Sequence, residues 1–303
     1  MPGRSPQPPP SIPRPALERR LDAALDRRLA CVVAGPGFGK TTLLSQWASG
    51  TPLAMSAWHG LTAADRTLSS LVRAVTDALR LCVPDLPTDL VTAVSGPRGP
   101  DVGTDETGRA QAYAGRICAA VADARPRALV LVLDDVEVLD GAPEATAFLA
   151  ALCRQASHPF HTVVASRGEV PFPVARLRGQ GMITELSAAD LAFTADETAA
   201  VLRRALADGP FGLDGAADGG PRPPVDALAT ELHAVTAGWP AAVRLAGEAL
   251  AQVAPERRAP TLDRLRRPGG VVHDYLADEV VDGEPDDSRA LLTRLAILDR
   301  FTP

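Results

Sequence analysis

The chain has 303 residues, 46% of them hydrophobic and 22% charged, with a formal net charge of −6. That is enough apolar material for two domains or one large one, and the acidic balance argues against a chain built to coat nucleic acid or an anionic membrane. No apolar run reaches spanning length, and four scattered cysteines with no C-x-x-C pair argue against a metal or disulfide framework and for a reduced cytoplasm.

From Met1 to Pro15 the chain holds seven prolines and no apolar run of a signal peptide, so an extended lead-in is expected over residues 1–15. From Ala16, leucines at 17, 21, 25 and 29 alternate with charges and predict an amphipathic helix. Ala30–Ala34 reads as a short buried strand, followed by a Gly-rich turn and a helix over Thr41–Ser49. Pro52–Trp58 predicts a second strand and Leu68–Leu81 a helix; Ser95–Gly108 is loop, and Ala110–Ala124 helix. Leu129–Leu133 is wholly apolar and ends in Asp134-Asp135, the pattern of a central parallel strand. A helix over Glu144–Gln155, a strand over Thr162–Ala165 ending in Ser166-Arg167, and a fifth strand over Met182–Leu186 complete the alternation.

Strands alternating with helices over residues 16–190 predict a doubly wound α/β domain with a parallel sheet. Beyond it the signals are helical. Thr194 and Glu197 form a capping box, Gly209–Pro224 is a Gly- and Pro-rich loop, and Val225–Ala237 and Pro240–Val253 are helices with Gly238 between them. A break at Pro268-Gly-Gly270 precedes two last helical segments, Val271–Val281 and Asp286–Asp299.

One compositional oddity bears on chemistry. Of 31 Lys and Arg residues only Lys40 is a lysine, and asparagine is absent. A lysine surviving in a chain that otherwise uses arginine marks a position where arginine does not serve. Its setting is Ala34, Gly35, Pro36, Gly37, Phe38, Gly39, Lys40, Thr41, Thr42, between a strand and a helix. That is the context of a phosphate-binding loop. Backbone N–H groups of the turn and helix start are expected to cradle phosphates, Lys40 to supply a compact charge, and Thr41 a hydroxyl for Mg²⁺. Position 34 holds Ala where the strict pattern has Gly.

Asp134 then fits a Walker B acid that holds Mg²⁺ directly or through water, and Asp135 a group that orients or deprotonates the attacking water. Arg167, ending the next strand, stands where a sensor of the γ-phosphate is expected. Guanine specificity through an Asn/Thr-Lys-x-Asp motif needs residues this chain lacks, so the expected nucleotide is ATP or ADP. A protein kinase needs a lysine beside its Gly-rich loop, and none remains. The five histidines show no ligand spacing, and Arg257-Arg258 and Arg266-Arg267 read as solvated faces or linkers.

Taken together, several stretches resemble the STAND class of P-loop ATPases, specifically the MalT-like, LuxR-type large transcriptional regulators. They are Arg14-Pro15; Gly37 to Trp47; Trp58 with Asp65-Arg66; Leu131 to Asp135; Ala165-Ser-Arg167; Leu191-Ala-Phe-Thr with Glu197; Thr236 with Gly-Trp-Pro-Ala-Ala242; and Asp274-Tyr-Leu with Glu279-Val280. The resemblance implies a P-loop nucleotide-binding domain (16–190), an all-α helical lid (191–268) and the beginning of a winged-helix domain (269–303). It implies that Pro240 packs on the adenine and that the segment holding Arg14 passes the other side of the base. It implies an ATP/ADP switch whose nucleotide state controls an open or closed form and self-association in the ATP state. DNA contact would come through a C-terminal helix-turn-helix beyond Pro303. A free-standing ATPase or phosphotransferase, and a scaffold that holds ADP without hydrolysing it, remain alternatives.

Overall fold

A computed structural model describes residues 11–87, 106–124, 128–213 and 224–265. The lead-in before Ser11, most of the loop before Gly108, residues 214–223 of the second loop and everything after Leu265 lie outside the described residues. The expected winged-helix start and its Asp274-Tyr-Leu stretch fall there.

By backbone contacts the chain divides into two units. The first runs to Ala34 and from Lys40 to Asp190; the second holds Gly35–Gly39 and the chain from Leu191 onward. The first contains α1 (Pro15–Ala23), β1 (Leu29–Val33), α2 (Lys40–Gly50), β2 (Ala54–Gly60) and α3 (Leu68–Arg80). It continues with α4 (Glu106–Ala124), β3 (Ala128–Asp134), α5 (Pro143–Gln155), β4 (Phe160–Ser166), α6 (Ala175–Gly179), β5 (Ile183–Ser187) and α7 (Ala188–Leu191).

The five strands form one sheet in the order β2-β3-β4-β1-β5, and every pairing is parallel. Such a sheet needs apolar cover on both faces, and the alternation of side chains supplies it. Leu29 and Cys31, Leu129, Leu131 and Leu133, and Phe160 and Val164 join one core with residues of α3, α4 and α5. The intervening Ala30, Val32, Val130, Val132, Val163 and Ala165 are also buried but belong to no part of that core. Leu17, Leu21, Leu43, Leu44 and Trp47 of α1 and α2 are likewise buried outside it.

Where expectation and structure differ, pairing is the reason. The leucine stripe at 17, 21, 25 and 29 is not one helix: α1 ends at Ala23, a 3₁₀ turn covers Ala24–Asp26, and Leu29 opens β1. Arg28 and Leu29 donate their N–H groups to the Met182 carbonyl, so a strand neighbour outcompetes the helical period. β2 lies two residues later than expected because its ladder with β3 carries Gly60 to Asp134.

The second unit has α8 (Ala195–Asp208), α9 (Val225–Thr236), α10 (Pro240–Ala251) and α11 (Pro255–Leu265). Thr194 and Glu197 close the expected capping box on α8. Leu202, Leu206, Leu228, Leu232, Val243, Leu250 and Leu262 form the core among these helices. Pro240 begins α10, and Ala237 and Gly238 both take positive φ in the turn before it. α11 was not expected. Within it Arg258 is 3% exposed and donates to the Gly212 and Leu213 carbonyls, which corrects the reading of Arg257-Arg258 as a solvated pair. No helix among the described residues is long and apolar enough to cross a membrane.

Candidate functional site

In an open parallel sheet, ligands sit outside the carboxyl ends of the strands. β1, β3 and β4 are neighbours in the order 3-4-1, and each ends in a residue singled out above: Ala34 after β1, Asp134 at β3, Ser166-Arg167 at β4. The Ala34 N–H donates to the Ser166 carbonyl at 3.2 Å, extending the ladder to the edge of the loop.

Lys40 is the first residue of α2 and only 7% exposed. Its Nζ donates to the Ala34 carbonyl at 2.7 Å. Burial lowers its pKa, Glu137, Asp134 and Asp135 oppose that, and Arg167 adds to it. One residue on, the Thr41 hydroxyl donates to Asp134 Oδ2 at 2.7 Å. Asp134 is 3% exposed, and its Oδ1 accepts the Asp135 N–H at 3.1 Å. Burial raises the Asp134 pKa; the two hydrogen bonds and the Lys40 charge pull the other way.

Asp135 takes left-handed backbone angles, φ 57° and ψ 44°, at the start of a 3₁₀ turn over Val136–Leu139. A non-glycine there is uncommon and clusters at functional positions. Burial and then the Asp134 charge raise its pKa.

Glu137 was not anticipated from the sequence. Its carboxylate accepts the Arg167 N–H at 3.1 Å and lies 3.4 Å from Arg167 Nε. Among charges it is also the foremost one acting on Lys40. The signal was present as a third acid two residues after Asp135, where the 3₁₀ turn brings it to Arg167. Ser166, 0% exposed, has a hydroxyl with no hydrogen-bond partner.

In the loop, Gly37 and Gly39 have φ of +74° and +76°, a conformation that side chains rarely adopt. Gly35–Gly39 group with the second unit. Within it the Trp239 indole donates to the Pro36 carbonyl at 3.2 Å, and the Ala241 N–H to the Gly37 carbonyl at 3.0 Å. The Phe38 and Trp239 rings lie 6.5 Å apart. The Trp239 side chain thus meets the loop. Pro240 is buried at the start of α10, Thr42 is half-buried on α2, and Arg14 is 7% exposed just before α1. Arg244 pairs with Glu248 at 3.8 Å on the exposed side of α10.

Thr41 and Asp134 offer the hard oxygen donors that Mg²⁺ prefers. Among the described residues there is no group of three or more His, Cys, Asp or Glu placed to hold a metal. The donor set thus fits Mg²⁺ arriving with phosphate and water oxygens, its usual way of binding, and not an all-protein cage.

No protein-family model matches the chain. Over 299 residues it is 26% identical to the HTH-type transcriptional regulator MalT of Cronobacter sakazakii, an alignment covering 95% of this chain and 29% of that protein. It is 28% identical over 299 residues to the serine/threonine-protein kinase PknK of Mycobacterium tuberculosis, covering 96% of this chain and 25% of that one. The chain thus spans less than a third of either relative's length. Among solved structures, a Walker-type ATPase of Pyrococcus abyssi superposes with a TM-score of 0.52 at 14% identity, covering 97% of this chain and 91% of that one. Identity that low bears on fold alone. With the five-stranded parallel sheet and the glycine loop after β1, the chain has the α/β fold of the P-loop ATPases.

Proposed function

We propose that this chain is the nucleotide-binding module of a signal-responsive transcriptional regulator, a slow Mg²⁺-dependent ATPase whose ATP or ADP state biases its conformation and self-association. The observation that carries this reading is the Thr41–Asp134 hydrogen bond beside the buried Lys40 ammonium. It sets a hydroxyl, a carboxylate and one fixed cation around the start of α2.

In this reading Gly35, Pro36, Gly37, Phe38 and Gly39 wrap the phosphates with backbone N–H groups, and Thr42 continues that cradle. Lys40 exchanges the Ala34 carbonyl for phosphate oxygens. Thr41 and Asp134 would hold Mg²⁺, which would supply positive charge beside the phosphates. Asp135 accepts the proton of the attacking water as its oxygen bonds to the γ-phosphorus and the bond to the ADP oxygen breaks. Its raised pKa makes it a better proton acceptor than an ordinary aspartate. Arg167 stabilises the transferring phosphoryl group after leaving Glu137. Arg14 and Pro240 flank the base.

The relatives support the regulatory setting: one is named as a transcriptional regulator, and alignment covers nearly all of this chain. The kinase activity in the other relative's name is not carried over, since this chain has no lysine besides Lys40 to serve such a site. A cytoplasmic location follows from that setting. Mass spectrometry of nucleotide released from the purified protein, then a hydrolysis time course with Mg²⁺, tests the proposal. Bound adenine nucleotide and slow release of phosphate are expected. Fast unpartnered turnover, or no nucleotide binding by calorimetry, overturns it.

A further inference from the structure

A second basic feature lies at the opposite, amino end of the strands. Arg28 immediately precedes β1, Arg154 is in the last turn of the helix leading into β4, and Arg176 lies in, and Gln180 just after, the helix leading into β5. All four therefore stand at the amino ends of strands, whereas Ala34, Asp134 and Arg167 stand at the carboxyl ends. Together with buried Leu177 they line a cavity of about 330 Å³.

The arginines lining this cavity differ from Arg20 and Arg178 nearby, which have carboxylate partners. Arg20 pairs with Asp190 at 2.5 Å and Arg178 with Glu185 at 2.6 Å. Arg27 donates to the Gly181 carbonyl. Among the described residues, no carboxylate pairs with Arg28, Arg154 or Arg176. Arg28 donates through Nη1 to the Arg154 carbonyl, which anchors one corner of its guanidinium and leaves its remaining N–H groups for another acceptor. Arg154 also suits the negative end of its own helix. These roles account for two arginines being there, but not for three converging on one cavity in a chain of net charge −6. Like charges brought together repel unless an anion joins them.

We propose that this cavity is a binding site for a small phosphate-bearing molecule, separate from the glycine loop. Guanidinium groups match phosphate oxygens with paired N–H donors. The Gln180 amide adds a neutral donor and acceptor, and Leu177 an apolar wall. The volume is that of a small-ligand site. The site gives the sheet a second anion-responsive face, so a phosphorylated metabolite can be sensed independently of the nucleotide.

Inorganic pyrophosphate titrated calorimetrically into ADP-saturated protein, and separately into Lys40→Ala, tests this. Binding is expected in both. Arg176→Glu, a change at an exposed position, and Arg154→Ala are each expected to weaken it about tenfold or more. Retained ADP affinity and an unchanged circular dichroism spectrum identify a folded variant; if Arg154→Ala fails that control, Arg176→Glu decides. Absence of pyrophosphate binding, its loss on ADP saturation or in Lys40→Ala, or an unchanged affinity in Arg176→Glu overturns the proposal. So does displacement by duplex DNA, which would make the cavity part of a nucleic-acid surface, or equal affinity for malonate, which would remove the phosphate specificity.

Discussion

The Thr41 hydroxyl donates to Asp134 at 2.7 Å across 93 residues of sequence. Neither residue is unusual for its own element: Thr41 opens a helix and Asp134 ends a strand. Their meeting joins the start of α2 to the acid strand although β4 lies between β1 and β3 in the sheet. Thr41→Val keeps the shape and removes the donor, leaving a 3%-exposed carboxylate with less support. Hydrolysis is expected to fall roughly 100-fold and nucleotide affinity to lose most of its Mg²⁺ dependence. Calorimetry with ADP, with and without Mg²⁺, checks this. An unaltered Mg²⁺ dependence counts against the pair as a metal site.

Lys40→Ala and Lys40→Arg are both expected to lower nucleotide affinity, the first about 100-fold. The arginine variant tests why one lysine persists in an arginine-rich chain. The Lys40 ammonium, 2.7 Å from the Ala34 carbonyl, is a compact point charge, whereas a guanidinium is a larger planar fork. Wild-type affinity in Lys40→Arg would show that the residue type is incidental.

Glu137→Gln removes the foremost charge opposing the effect of burial on Lys40. The ammonium pKa is already below its ordinary value, and losing a nearby negative charge lowers it further. The charged form is then lost at lower pH. The alkaline limb of the nucleotide-binding profile is expected to move to lower pH in this variant. A limb that stays in place would mean that Glu137 acts only on Arg167.

Gly238→Ala tests the turn before α10. Gly238 has φ +73°, and an added Cβ would overlap the Phe193 carbonyl, whose N–H in turn donates to the Gly238 carbonyl at 2.7 Å. The severe overlap is with Phe193 backbone, which cannot swing aside as the end of a flexible side chain could. Destabilisation by about 2 kcal/mol or more is expected, read by denaturant unfolding followed through tryptophan fluorescence.

Asp190 supplies an acid-range test. Burial alone would raise its pKa, but Arg20 and the Ser187 N–H and hydroxyl outweigh that and hold it at about 2, below the ordinary 3.8. A depressed carboxylate stabilises the fold above its unfolded pKa, and that contribution fades as pH falls through the folded value. The Tm gap between wild type and Asp190→Asn is therefore expected to shrink between pH 3.8 and about 2. A constant gap would assign the effect to packing.

The sequence by itself determined the alternation of strands and helices, the glycine loop and the acid-terminated strand. Those features rest on local chemistry: unbroken apolar runs, glycines that tolerate positive φ, and a single lysine held against drift to arginine. Only the tertiary structure decided where the leucine stripe stops being helix, because Leu29 is claimed by a neighbouring strand. It also decided that Glu137 reaches Arg167, that Trp239 meets the loop, and that Arg258 is buried. Those outcomes depend on partners at least 30 residues away, and hydrophobic periodicity carries no record of which distant carbonyl or carboxylate a side chain will find.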